Sequence, residues 1–153
     1  MKRTFLFFFT LMTMSRQYPT EEDAFVNSIA FNMQLTTEEV QECFNKTSIT
    51  PKDIMHVDRI IEDDLHTIDS DDRALKMGCF TNCLFRKKEM VTGTQINFEK
   101  VKEMRTKVTD PDKVHRVHQT IDTCADQVKS ITNECEVGLK FVVCYNVEIR
   151  RLK

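Results

Sequence analysis

Six cysteines are the residues of this chain best suited to do chemistry. An even number of cysteines behind an apparent export signal predicts disulfide bonds. Cys79 and Cys83 lie four positions apart, so on a helix they share one face, one turn from each other. A bond between those two would distort the helix, and each is therefore expected to bond a different element. The spacing alone does not choose among the possible pairings of Cys43, Cys79, Cys83, Cys124, Cys135 and Cys144.

Metal binding and catalysis are the competing interpretations of the polar residues. The cysteine pair has no second pair and no histidines at zinc-type spacing. An acidic segment invites a calcium hypothesis, but it lacks the glycine and final glutamate of an EF-hand loop and is interpreted as a solvated loop and helix start. No nucleophile motif and no active-site run of a secreted phospholipase occurs, so we predict no cofactor, no metal and no enzyme. The acidic residues are Glu62, Asp63, Asp64, Asp69, Asp71 and Asp72.

The first residues have the pattern of a secretory signal peptide. Lys2 and Arg3 precede an uncharged, mostly apolar run from Thr4 to Met14, which is too short to span a bilayer comfortably. We predict a signal peptide over residues 1–15 and a secreted, extracellular domain over 16–153. Removing the leader takes the formal charge from −2 to −4. Nucleic acid and membrane insertion are therefore not expected for the mature chain.

The elements that must hold the cysteines are predicted to be helices. Glycines and prolines number only three each, which favours helices over strands. Cap signals occur at Thr36 and Thr50, then at Ser70, Asp110 and Asn133, each followed by apolar residues at helical spacing. A shorter helix is marked by Phe98, Val101, Met104 and Val108, an N-terminal segment covers residues 22–34, and a loop is expected at 92–94. The prediction is one all-α domain of about six helices.

The cysteine order, with three residues between the second and third and eight between the last two, resembles that of the insect odorant-binding protein family, pheromone-binding proteins included. This resemblance implies a compact helical bundle locked around an apolar cavity by three interlocked disulfides. It also implies the pairing Cys43 to Cys83, Cys79 to Cys135 and Cys124 to Cys144. The implied function is a soluble carrier of odorants, pheromones or other small hydrophobic molecules, with a membrane chemoreceptor as a further partner and a monomer or weak homodimer as its state.

Apolar residues on four predicted helices are the candidates for lining that cavity. Each stripe has an alternative interpretation as ordinary core packing. Methionine and phenylalanine adapt to varied apolar ligands, and a tyrosine hydroxyl can bond a ligand carbonyl or hydroxyl. The predicted ligand-binding residues are Met77, Phe80, Leu84, Val101, Met104, Val114, Val117, Ile121, Phe141, Val142 and Tyr145. The alternative function is a secreted interaction or defence protein that uses the same fold outside olfaction.

Two further features have both a functional and an ordinary interpretation. His115 and His118, three apart on one helix, suit a pH switch or are simply surface residues. Asn45-Lys46-Thr47 is a glycosylation sequon that export would make usable, although it lies two residues from Cys43.

Overall fold

The computed structural model describes residues 20–63, 65–104 and 109–151, and it is all-α, as predicted. The predicted signal peptide, Asp64 and Val108 lie outside these residues. Within them, a short antiparallel hairpin of two-residue strands, β1 (Val91–Thr92) and β2 (Gln95–Ile96), flanks a turn at residues 93–94, inside the predicted loop. A 3₁₀ helix, Leu65–Ser70, precedes α4. The α-helices are α1 (Glu21–Met33), α2 (Thr37–Thr47), α3 (Pro51–Asp63), α4 (Asp72–Lys87), α5 (Phe98–Glu103), α6 (Pro111–Val128) and α7 (Glu134–Arg151).

Local capping chemistry sets where these helices begin. At α2 the Thr36 hydroxyl accepts from the backbone N–H of Glu39 at 3.2 Å, and the Glu39 carboxylate accepts from the Thr36 N–H at 2.9 Å. These reciprocal bonds satisfy two donors that the first helical turn leaves unpaired. Asp110 caps α6 ahead of Pro111 in the same way that the sequence predicted. At α4 the predicted start is wrong by one residue, because Asp71 rather than Ser70 is the N-cap.

Three disulfides join four of the helices in series. Cys43 of α2 bonds Cys83 of α4, Cys79 of α4 bonds Cys135 of α7, and Cys124 of α6 bonds Cys144 of α7. This is the pairing that the resemblance implied. The covalent order is therefore α2, α4, α7 and α6, while α1, α3 and α5 carry no cross-link. On the chain-entropy model each bond contributes about 3 to 4 kcal/mol to stability.

The crossing of α4 over α7 is the most extensive helix contact in the described residues. Two glycines allow it. A Cβ on Gly78 would lie 2.1 Å from the carbonyl oxygen of Cys135, and one on Gly138 would lie 2.2 Å from the carbonyl oxygen of Gly78. The two backbones therefore touch directly, with no side chain between them. The Cα atoms of the bonded Cys79 and Cys135 are 4.0 Å apart beside this contact.

None of the helices in the described ranges is both long enough and apolar enough to cross a bilayer. The buried apolar residues instead form three clusters. One joins α1, α2, α3 and α4, a second joins the hairpin, α5, α6 and α7, and a third lies where α3, the 3₁₀ helix, α4 and α7 meet. The first two clusters are built from separate sets of residues.

Adding a methyl group at the glycine contact should be costly. Gly78→Ala and Gly138→Ala are each expected to lower the free energy of unfolding by about 3 kcal/mol, because backbone atoms cannot move aside as side chains do. Gly93→Ala is the control: its Cβ would meet nothing within 4 Å, and only its φ of +60° opposes the change, at about 1 kcal/mol. Urea unfolding with the disulfides intact measures all three. Equal losses at the three positions would contradict this account.

The N-cap of α4 should give the stability a defined pH dependence. Burial acts to raise the pKa of Asp71, but hydrogen bonds from the His56 and Arg73 side chains and from the N–H groups of Arg73 and Ala74 hold that pKa well below its usual range. A lowered folded pKa contributes stability above the unfolded value, and this contribution is lost as the pH falls.

Asp71→Ala should therefore destabilise the protein by about 1 to 2 kcal/mol at pH 7, with the difference shrinking below about pH 4. Unfolding midpoints between pH 7 and pH 2 test this. Asp71→Asn, which can still cap the helix, separates the two contributions and should lose less at pH 7. A loss for Asp71→Ala that stays constant down to pH 2 would show that its charge contributes nothing.

Candidate functional site

A cavity of about 620 Å³ lies between the helices. Ligand pockets in proteins commonly have volumes of about 300 to 1,000 Å³ and are mostly apolar, so this volume suits a small molecule. Its walls come from six helices, α1, α3, α4, α5, α6 and α7, and from Met90, which precedes the hairpin. Of these, only α4, α6 and α7 belong to the cross-linked series.

One face of α4 and one face of α7 form the two cross-linked walls that contribute most residues. Residues three and four apart on a helix share a face, and the spacing of the lining residues follows that rule. Phe85 packs edge-on against Phe141 at 5.7 Å between ring centres, and Tyr145 stacks on Phe141 at 6.4 Å. On α4 the lining residues are Met77, Phe80, Thr81, Leu84 and Phe85, and on α7 they are Phe141, Val142, Tyr145 and Asn146.

The cavity lies between two of the buried clusters. The N-terminal cluster joins α1, α2, α3 and α4, and the C-terminal cluster joins the hairpin, α5, α6 and α7. Phe80 and Leu84 belong to the N-terminal cluster, whereas Ile121 and Phe141 belong to the C-terminal one, and all four line the cavity. Cavities in packed cores are destabilising by about 24 cal/mol per Å³, so the two clusters would gain by closing on each other. The disulfides and the glycine contact fix the spacing of α4 and α7 and oppose that closure.

The structure brings most of the predicted ligand-binding residues together. Nine line the cavity: Met77, Phe80, Leu84, Val101, Met104, Ile121, Phe141, Val142 and Tyr145. Val114 and Val117 do not. They lie on α6 two turns and one turn before Ile121, the one α6 residue of the lining, and Val117 packs half-buried against the C-terminal cluster. Helical periodicity identified the face of α6 but not how far along the axis the cavity extends.

Two walls of the cavity were not predicted from the sequence. Helix α1 contributes Asn32 together with Phe25, Ile29 and Met33, and the spacing of four residues among the apolar three was a signal available in the sequence. Helix α3 contributes Ile54 and Asp58. The carboxylate had no such signal, because nothing in the sequence distinguishes Asp58 from the exposed acidic residues that follow it.

Polar groups gather where α3 and α7 approach each other at the cavity. Asp58 remains open to solvent at this rim, and burial by its surroundings raises the pKa of its carboxyl. The positive charge of Arg150 lowers that pKa by less than burial raises it, and the negative charge of Glu62 adds to the rise. Arg150 itself bonds Glu62, with 3.0 Å between Nη2 and Oε1. Asn146 donates from Nδ2 to the carbonyl oxygen of Val142 at 2.9 Å.

The remaining candidates lie away from the cavity. His115 is exposed and His118 half-buried on α6, and neither lines the cavity. Asn45 is exposed near the end of α2, where Thr47 donates its hydroxyl to the Cys43 carbonyl at 2.8 Å. Three of the described acidic residues make contacts of other kinds: Glu62 with Arg150, Asp69 with Lys140 and Asp71 at its cap. No group of three metal-ligating side chains occurs among the described residues.

Comparisons with known proteins agree with this geometry. The model of the PBP/GOBP family matches residues 32–148, which is more than half of the chain. A pheromone-binding protein Gp-9 from Solenopsis globularia littoralis is 26% identical over 107 residues, covering 70% of this chain and 69% of that protein. The Gp-9 proteins of Solenopsis richteri and Solenopsis xyloni are 24% and 23% identical, covering 67% and 68% of both partners. No solved structure matches the chain.

The charged form of the Asp58 carboxylate should lower the free energy of unfolding. Because its folded pKa is raised, Asp58 contributes less stability as the pH rises through that value. Asp58→Asn should therefore stabilise the protein at pH 7, by no more than about 1 kcal/mol since the group is exposed, and the gain should vanish near pH 3. Asp126→Asn, at an exposed ion pair with Lys129, is the control and should give no gain. Urea midpoints at both pH values decide, and a loss at pH 7 for Asp58→Asn would contradict the prediction.

Proposed function

The chain belongs to the PBP/GOBP family, and we propose that it is a soluble carrier that binds small hydrophobic molecules, such as odorants, pheromones or similar semiochemicals, in the cavity between α4 and α7. Its role is binding and transport through aqueous fluid rather than catalysis. The single observation that carries the proposal is a cavity of about 620 Å³ whose lining is predominantly apolar, in a chain of this family. The pheromone binding stated in the names of the relatives is consistent with it.

The energetics of the cavity support a carrier. An apolar ligand gains about 25 cal/mol for each square ångström that it removes from water. The aromatic rings of the lining offer a large contact area with little loss of side-chain conformational freedom. The methionine thioethers adapt to ligands of different shape. A cavity already held open also avoids part of the ordering cost that weakens binding to flexible sites. Affinity for apolar molecules of varied shape follows from these properties.

Export completes the proposal. A carrier in extracellular fluid needs a leader and tolerates disulfides, and the signal peptide predicted for residues 1–15 and the three bonds fit that setting. Delivery to a membrane chemoreceptor, and a monomeric or weakly dimeric state, stay predictions from the resemblance.

Titration of the oxidised, refolded mature chain with the neutral fluorophore N-phenyl-1-naphthylamine tests the carrier function. Saturable binding at micromolar concentrations is expected. Val142→Phe should weaken it at least about tenfold, because the larger side chain occupies cavity volume. Val117→Phe, also on a half-buried valine but outside the lining, should leave the affinity within about twofold. Circular dichroism and unfolding midpoints confirm that both variants fold.

Failure of the folded wild-type chain to bind the fluorophore would overturn the carrier proposal and favour the secreted interaction protein. Equal weakening by the two valine variants would show that binding occurs somewhere other than the cavity.

A further inference from the structure

Polar side chains of α3 and α7 lie at the edge of the cavity, which we call the rim, and apolar ligand binding alone does not account for them. Asp58 lies one turn before Glu62 on α3, and Asn146 lies one turn before Arg150 on α7. The Glu62 and Arg150 side chains bond each other at 3.0 Å. Each preceding residue shares a helix face with one member of that ion pair, and both line the cavity. They present polar groups to a cavity whose other lining residues, apart from Asn32, Thr81 and the Tyr145 hydroxyl, are apolar.

These polar groups carry hydrogen-bond acceptor oxygens. A carboxylate offers only acceptors, and Asn146 uses one of its two Nδ2 hydrogens on the Val142 carbonyl, while its amide oxygen can accept. The charges that act on Asp58 are those of Arg150 and Glu62, and these two are already paired. The rim thus carries one net negative charge without a bonded cation among the described residues. A ligand group that supplies N–H donors and a positive charge matches both properties.

We propose that the cavity is selective for amphipathic amines, with the apolar body between α4 and α7 and the ammonium group bonded to the Asp58 carboxylate and the Asn146 amide oxygen. This inference rests on the proposed carrier function and specifies its ligand class. An ammonium has three donors, and a charge-assisted bond to a carboxylate is stronger than a bond between neutral groups. The cation also removes the penalty that burial imposes on the charged carboxyl, which the raised pKa of Asp58 records.

The selectivity is measurable with three ligands that share a chain and differ only in the head group. The affinities of decylamine, decanol and decanoate are to be measured by displacement of N-phenyl-1-naphthylamine from the wild-type protein at pH 7 and low salt, where the amine is cationic. We expect decylamine to bind at least about tenfold more tightly than decanol, and decanoate to bind most weakly. Raising the salt concentration should reduce the preference for the amine, because a partly exposed charge is screened.

Variants of the rim locate the effect. Asp58→Asn should bring decylamine and decanol to within about twofold of each other, chiefly by weakening the binding of decylamine. Asp126→Asn removes the same charge from an exposed site outside the lining and should keep the wild-type preference. Asn146→Asp adds a second carboxylate and should strengthen it. This last variant tests the inference by a gain, so it does not depend on how well Asp58→Asn folds.

The outcomes separate this inference from the carrier function. Binding of decanol and the fluorophore without preference for decylamine overturns the amine selectivity and leaves the carrier intact. An equal loss of preference in Asp58→Asn and Asp126→Asn assigns the preference to overall charge and also overturns it. Failure of the folded protein to bind any of these molecules overturns both proposals.

Discussion

The backbone contact between α4 and α7 is the constraint on which the rest of the structure depends. At Gly78 and Gly138 the two helices meet without intervening side chains, and the neighbouring bond between Cys79 and Cys135 ties them covalently. Close approach at one point of a helix pair fixes where the faces beyond that point can lie. The lining residues of both helices lie near this contact in sequence. The separation of the two backbones at the glycines therefore sets the width of the cavity.

The disulfide bonds hold the helices in this arrangement. Two buried clusters that would pack together in a simple bundle are instead held on either side of a cavity. Packed protein interiors close spaces of this kind wherever the backbone allows it. Here the helices α2, α4, α7 and α6 form one covalent series, and the helices outside it complete the enclosure. The fold therefore keeps an interior surface available to a ligand at the expense of core packing.

Local features of this fold were predictable from the sequence, and long-range ones only in part. The caps at Thr36, Asp110 and Asn133 were recognisable because their chemistry involves residues two or three positions away. The disulfide pairing needed a resemblance, since spacing leaves alternatives open. The role of Gly78 and Gly138 was not predicted. A glycine within a helical pattern indicates close packing, but it does not indicate which element packs against it. The rim position of Asp58 depends on the packing of α3 against α7, which no local pattern specifies.

The cavity wall consists of cross-linked and uncross-linked helices, and for the proposed carrier this division would separate the rate of ligand exchange from the binding equilibrium. Helices α4, α6 and α7 keep their relative positions through two bonds, whereas α1, α3 and α5 are held by packing and polar contacts alone. Local opening is least costly where few constraints must be broken. Under the proposed carrier function, a ligand would enter and leave the cavity most readily past α1, α3 or α5. Contacts on those helices would govern how long it stays, and the fixed faces of α4 and α7 would govern the shape that it must have.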